Sequence, residues 1–149
     1  MKRILTILLL IISFGVNAQS VTLSVDTLFN GVWDLQGKTL EIKGKISGNV
    51  ILRNAIIEAN RYTQIFEPSV SLENCKADNF SVAWYGAKPT NIDNSLAFQT
   101  SSDMCIRNNI YNLYIPEGAY NISQSWLLRN LFNGRYTAWS LHIKGQGNI

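Results

Sequence analysis

Few residues in this chain have the type and spacing to do chemistry. His142 is the single histidine. It sits in an alternating stretch with no acid nearby in sequence, which suits a solvent-facing or hydrogen-bonded strand residue better than a general base. The carboxylates Asp93, Asp103 and Glu117 are scattered, and their spacing gives no reason to pair them as the acid and base of a glycosidase. One histidine and two separated cysteines, Cys75 and Cys105, make no transition-metal ligand set. No nucleophile elbow or phosphate-binding loop is present. The expectation is therefore no catalytic, metal or cofactor-binding residue, and no motif singles out a substrate-binding one. The remaining candidates are aromatic: Trp33, Trp84, Trp126 and Trp139, with Tyr85, Tyr114 and Tyr120. Exposed rings stack on sugar faces, and their polar atoms bond hydroxyls. Rings also fill interiors, and packing inside the fold is the expectation for most of these.

The first residues form an address. Lys2 and Arg3 precede an apolar run from Ile4 to Phe14, and Val16, Asn17 and Ala18 supply small residues before Gln19. That is the layout of a secretory signal peptide covering residues 1–18. The run is short of the ~20 residues that span a bilayer, so a secreted or periplasmic chain without a membrane span is expected. The whole sequence has 13 Lys and Arg against 10 Asp and Glu. Without Lys2 and Arg3 the excess is a single charge, which argues against a nucleic-acid footprint of clustered cations. An oxidising compartment permits a Cys75–Cys105 bridge, although two buried free thiols are the default.

These candidates must be held by short elements. From Asp26 to Tyr85, three- to five-residue β-rich pieces alternate with turn residues. The pieces are Thr39 to Ile42, Val50 to Leu52, Ile56 and Ile57, Val70 to Leu72, and Phe80 to Trp84. They are short for sandwich strands, and no helical pattern separates them as βαβ units require. One echo stands out. Val50-Ile51-Leu52-Arg53-Asn54-Ala55 and Val70-Ser71-Leu72-Glu73-Asn74-Cys75 share a pattern at an offset of twenty residues. A repeat of that length suits stacked turns of chain, each covering its neighbour's apolar side chains. Asparagine at a shared corner tolerates left-handed backbone, and stacked amides bond along a ladder. Ordinary turn residues in unrelated hairpins are the alternative.

The period then changes. Asp93 is a good N-cap, and a helix is expected from Asn94 to about Arg107, with Phe98, Ser101 and Cys105 on one side. Leu113-Tyr114-Ile115 reads as a strand ended by Pro116-Glu117-Gly118. Short strands are expected again at Tyr120 to Ile122, Trp126 to Leu128 and Trp139 to Lys144, before a corner at Gly145-Gln146-Gly147.

Four pieces in order carry a resemblance: Trp84-Tyr85-Gly86-Ala87-Lys88; Asp93 with the helix behind it; Leu113 to Tyr120 through Pro116-Glu117-Gly118; and Leu141-His142-Ile143-Lys144-Gly145-Gln146-Gly147. Together they resemble the N-terminal pattern of the pectate-lyase-like superfamily, which includes polygalacturonase-like enzymes and phage tailspikes. The resemblance implies a mainly β fold, the start of a single-stranded right-handed parallel β-helix with an N-terminal capping α-helix. Residues 19–80 would be β-rich lead-in coils, and residues 81–149 the capping segment and first coils of an incomplete helix. It implies that the helix lies over the leading end of the stack, with Phe98 and Leu96 covering the first coils. Pro89-Thr90-Asn91-Ile92-Asp93-Asn94 departs from the family's usual acidic Gly-Asp-Gly loop, which puts any ion or substrate contact there in doubt. Thr100-Ser101-Ser102 stands where small apolar residues are usual. The implied partner is a polysaccharide or glycan, and the implied function is the front of a secreted lyase or glycoside hydrolase lacking a complete active site. A non-catalytic carbohydrate-binding or tailspike-like adhesion protein, homotrimeric in full-length form, is the alternative.

Overall fold

The computed structural model describes residues 20–128, 130–132, 135–137 and 141–145. The leader, Trp139 and the corner at Gly147 lie outside the described residues. Three strands form a first lap: β1 (Ser20–Leu23), β2 (Thr27–Leu28) and β3 (Gly31–Asp34). A second lap repeats them as β4 (Thr39–Ile42), β5 (Ile46–Ser47) and β6 (Val50–Arg53). The third has β7 (Ile56–Ala59), a bridge at Phe66, and β8 (Ser71–Glu73). Every pairing among these laps is parallel, giving the sheets β1-β4-β7, β2-β5 and β3-β6-β8. The two echo segments are thus adjacent and in register, with Leu52 beside Leu72 and Arg53 beside Glu73. β1, β3 and the two-residue β2 and β5 were not read as strands from sequence; β2 and β5 are too short to show alternation, whereas β1 and β3 match β4 in length.

Alternation sets which side chains go inside. In β4, Leu40 and Ile42 are buried while Thr39 and Glu41 are half-buried, and in β6 Val50 and Leu52 are buried. Equivalent inward positions then stack: Val21 with Leu40 and Ile57, and Trp33 with Leu52 and Leu72. Each fully buried residue of this size contributes about 1.5–3 kcal/mol of transfer free energy. The corner asparagines behave as their chemistry suggests. Asn54 and Asn74 have φ of 54° and 52°. The Asn74 amide donates to Asn54 Oδ1 at 2.7 Å, and the Asn54 amide donates to Asp34 Oδ1 at 3.0 Å. In the first lap the ladder position is Leu35, whose side chain is buried, so the Asp34 carboxylate reaches across to end the ladder.

The fourth lap breaks the pattern. Lys76 bridges to Ile56, extending the first sheet. β9 (Phe80–Ser81) runs into a 3₁₀ turn over Val82–Tyr85, where an alternating strand was expected. Ser81 Oγ accepts the Ala83 N–H, and Gly86 at φ 92° ends the turn, so the chain curls and all four side chains are buried. The Trp84 carbonyl accepts the Ile65 and Phe66 N–H groups in place of a strand.

Where the third sheet would gain its next strand lies α1 (Ser95–Arg107). The end of this helix meets β8 through Asn108, whose amide donates to Leu72 O at 3.0 Å while its Oδ1 accepts the Cys75 N–H at 2.9 Å. A carboxamide is chemically a peptide group, and here it does a strand's work. α1 therefore covers the trailing edge of the three laps. The leading-edge placement is corrected: Val25 (69% exposed) and Leu28 (64%) on the first lap are open among the described residues. The physical reason is chain order, since a helix that follows the laps reaches the side facing onward. Phe98 is buried at 3% exposure, whereas Leu96 is 64% exposed and covers nothing. Ser101 and Ser102 are fully buried; Ser102 Oγ donates to Gln99 O and accepts the Trp126 indole N–H.

β10 (Asn112–Ile115) pairs in parallel with β9 on one side and β13 (His142–Gly145) on the other. Between them β11 (Asn130–Phe132) and β12 (Arg135–Thr137) form an antiparallel pair. Residues 120–128 contain no strand, contrary to expectation: Tyr120 and Trp126 are spent on α1, with rings 5.4 and 5.2 Å from Phe98. Cys75 and Cys105 are both buried free thiols, and burial raises the pKa of each.

Candidate functional site

The turns between the first and second sheets stack at one corner of the laps and leave a hollow of about 420 Å³ open to solvent. The first lap lends Asp26, the second Lys43, Gly44 and Lys45, the third Tyr62, Thr63 and Gln64, and Lys88 completes the wall beyond the 3₁₀ turn. Gly44 makes the hollow possible. A Cβ there would lie 2.2 Å from the Val25 carbonyl carbon, so only glycine lets the second lap cross so close to the first. Asp26 Oδ1 accepts the Lys45 backbone N–H at 2.8 Å, which fixes the two turns together. The third turn is built by Asn60, whose Oδ1 accepts the Tyr62 N–H at 2.8 Å and whose carbonyl accepts the Trp84 indole N–H at 3.0 Å.

Three lysines face one carboxylate around this hollow. Lys43 Nζ pairs with Glu41 at 3.0 Å and Lys45 Nζ with Glu67 at 2.6 Å, both partners lying outside the lining. The hydrogen bond and charge of Glu67 raise the Lys45 pKa, so this ammonium stays protonated across the ordinary pH range. Lys88 has no ion-pair partner among the described residues. Gln64 donates to Phe66 O at 3.0 Å, which holds its carboxamide at the rim. Tyr62 is half exposed and stands beside Arg61, whose guanidinium lies 5.3 Å from the Tyr62 ring centroid and 4.5 Å from that of Tyr114. Such a surface can hydrogen-bond hydroxyls, stack one face of a ring and neutralise negative charge.

Most aromatic residues singled out from sequence lie elsewhere. Trp84 and Tyr85 are buried, and the Tyr85 hydroxyl donates to Val70 O at 2.9 Å. Burial raises the Tyr85 pKa far above the usual phenol range. Trp126 and Tyr120 pack on Phe98, and Trp33 sits half-buried against Phe29 on the first lap. Among the described candidates only Tyr114 comes near the hollow, through Arg61. His142 is exposed and outside the lining.

The scattered carboxylates stay apart. Asp93 Oδ1 accepts from Ser95 N, Ser95 Oγ and Ser123 N, and its Oδ2 accepts from Ser123 Oγ. These bonds hold its carboxyl well below the usual range. The helix starts at Ser95, so Asn94 and not the expected Asp93 holds the cap position, without a capping bond from its side chain; Asp93, one residue earlier, bonds Ser95 and pins Ser123 to the helix start. Asp103 accepts from Gln99, and Glu117 is exposed. Among the described residues no group of three or more His, Cys, Asp or Glu could hold a metal ion, and no helix is long and apolar enough to cross a membrane.

Sequence reading missed Asp26, Lys43, Lys45, Tyr62, Gln64 and Lys88. A signal existed: Asp26 and Lys45 are 19 residues apart, one lap, and the same step from Lys45 leads to Gln64. That step is one short of the twenty-residue echo at the asparagine corner, and it also relates Lys43 to Tyr62 but does not reach Lys88. No known protein family, curated protein or solved structure matches this chain.

Proposed function

We propose that the laps are coils of a right-handed parallel β-helix, and that the chain is part of an exported, polysaccharide-acting protein to which it contributes glycan contact rather than catalysis. The observation carrying this reading is the hollow itself. It crosses the three laps along the stacking direction, lined by Asp26, Lys43, Lys45 and Lys88 with Tyr62 and Gln64. Successive strands of such a stack are about 4.7–4.9 Å apart, so each lap offers an extended sugar chain a hydrogen-bonding side chain at short intervals. Lys88, without an ion-pair partner among the described residues, favours a glycan bearing carboxylates or sulfates, while Lys43 and Lys45 are already paired with Glu41 and Glu67 and add hydrogen-bond donors. The parallel register and the Asp34–Asn54–Asn74 ladder support the coil reading.

The test is calorimetric titration of the full chain, as processed by its secreting host, with oligogalacturonides and with neutral oligosaccharides of equal length. Acidic oligomers are expected to bind, more weakly as salt rises. Lys88→Ala and Lys43→Ala should each weaken binding about 3- to 10-fold, the size of one charge-assisted hydrogen bond. No turnover should accompany binding. Equal affinity for neutral oligomers, or none for either, would sink this reading. A non-catalytic adhesion protein is the second reading, favoured by the dispersal of Asp93, Asp103, Glu117 and His142 away from the hollow.

A further inference from the structure

The third-lap turn that supplies Tyr62 is an exposed excursion between β7 and Phe66. Tyr62, Thr63 and Gln64 all line the hollow, so the hollow keeps its shape only if this turn is held. Its own hydrogen bonds to Asn60 are local: Tyr62 N–H to Oδ1 and Thr63 Oγ1 to the Asn60 carbonyl at 3.3 Å. They shape the turn, and the buried Trp84 indole, donating to the Asn60 carbonyl at 3.0 Å, fixes its near end, but neither holds the Tyr62 ring. Arg61 adds a second distant contact. Its guanidinium lies 4.5 Å from the ring of Tyr114, in the middle of β10, while also facing Tyr62 at 5.3 Å. The Tyr62 and Tyr114 hydroxyls share a hydrogen bond, and partial desolvation raises the Tyr114 pKa while the Arg61 charge opposes that rise. Arg61 therefore joins the turn to a strand about 50 residues downstream that lies outside the hollow's lining.

We infer that Arg61 is a positioning residue: clamped to Tyr114, it aims the Tyr62 ring along the wall of the hollow, so that the site depends on β10 although β10 does not line it. A guanidinium is needed because its charge is spread over a plane broad enough to meet both rings at once, which the compact ammonium of a lysine is not. The ligand arm of the test rests on the glycan reading above; the protease arm does not.

Arg61 is itself a trypsin site in an exposed turn, so the clamp is directly measurable. In the wild-type chain, cleavage of the Arg61–Tyr62 bond should be slow, and in Tyr114→Ala about 5- to 10-fold faster, the population shift matching a partly desolvated cation–π contact. Tyr114→Phe keeps the ring and loses the hydroxyl bond, so its rate should fall between the two. The other Lys and Arg sites serve as internal controls for global loosening. In parallel, oligogalacturonide affinity should fall in the same order, and Arg61→Lys should not restore it despite equal charge. Equal cleavage at Arg61 in wild type and Tyr114→Ala would overturn the inference. So would glycan affinity indifferent to Tyr114 and Arg61. Faster cleavage in Tyr114→Ala in a chain that binds no glycan would uphold the clamp and overturn the glycan reading alone.

Discussion

Between Ser20 and Lys76 the strands of each sheet are held by strands 17 to 20 positions away, as in Thr39 beside Ile56 and Ile51 beside Ser71. From Phe80 onward the parallel partners are 30 or more positions apart, as in Phe80 beside Leu113 and Asn112 beside His142, and the antiparallel β11–β12 pair is local. The first region is regular because one short unit, repeated, buries the apolar residues of its neighbour. The second is held by particular polar contacts instead: Asp93 on Ser95 and Ser123, Asn94 on Asn121, Gln99 on Leu127, and Asn108 on β8. The contrast teaches that a stack of parallel laps can be closed without another strand, provided a helix brings the right amide to the exposed edge.

The largest test of that contrast strikes the helix. Phe98→Asp places a charge in the contact shared by Tyr120 and Trp126 and should cost about 3–5 kcal/mol, read by urea denaturation with light scattering to detect association. Leu96→Asp, two positions away and exposed, should change stability by less than about 0.5 kcal/mol. Equal effects would mean that the helix does not shield the stack as described. Asn108→Ala comes next. It leaves Leu72 O and Cys75 N without partners at a buried edge, about 1–3 kcal/mol for each orphaned group. Hydrogen exchange should show faster exchange at Cys75 while Leu52, one lap in, stays protected.

Within the regular region the ladder gives a smaller effect. Asn74→Ala forces alanine to φ near 52° and breaks the bond to Asn54, a cost of about 1–3 kcal/mol. Asn74→Gly loses the bond but accepts the backbone, so it should be milder, and thermal unfolding would rank the two. The smallest effect separates the regions by pH. The folded Asp93 pKa is depressed below its ordinary 3.8 by the Ser123 and Ser95 hydrogen bonds. Its contribution is therefore present above that pH and is lost as pH falls through the depressed value. The melting-temperature gap between wild type and Asp93→Asn should shrink below pH 3.8, and a gap independent of pH would reject the latch.

Part of this was legible in the residues themselves. The twenty-residue echo placed Asn54 over Asn74, because a left-handed corner and a stacked amide both favour asparagine. The helix was legible from Asp93 and a stretch free of Gly and Pro. The candidate site was not, because Lys43, Lys45, Tyr62 and Lys88 belong to turns, where polarity is ordinary and a 19-residue recurrence of unlike polar residues does not stand out. The 3₁₀ turn at Val82–Tyr85 was hidden because alternating apolar residues also suit a strand; Ser81 and Gly86 decide the matter through local bonds and a positive φ.

What the sequence by itself determined is the inward and outward order of each short piece and the corner residues that let the chain turn, since both depend on side-chain type within a few residues. Which edge the helix covers, and which turns meet to form the hollow, was decided only by tertiary structure. Those outcomes depend on how laps separated by about twenty residues register against one another, and on where the chain next finds an unpaired edge to satisfy.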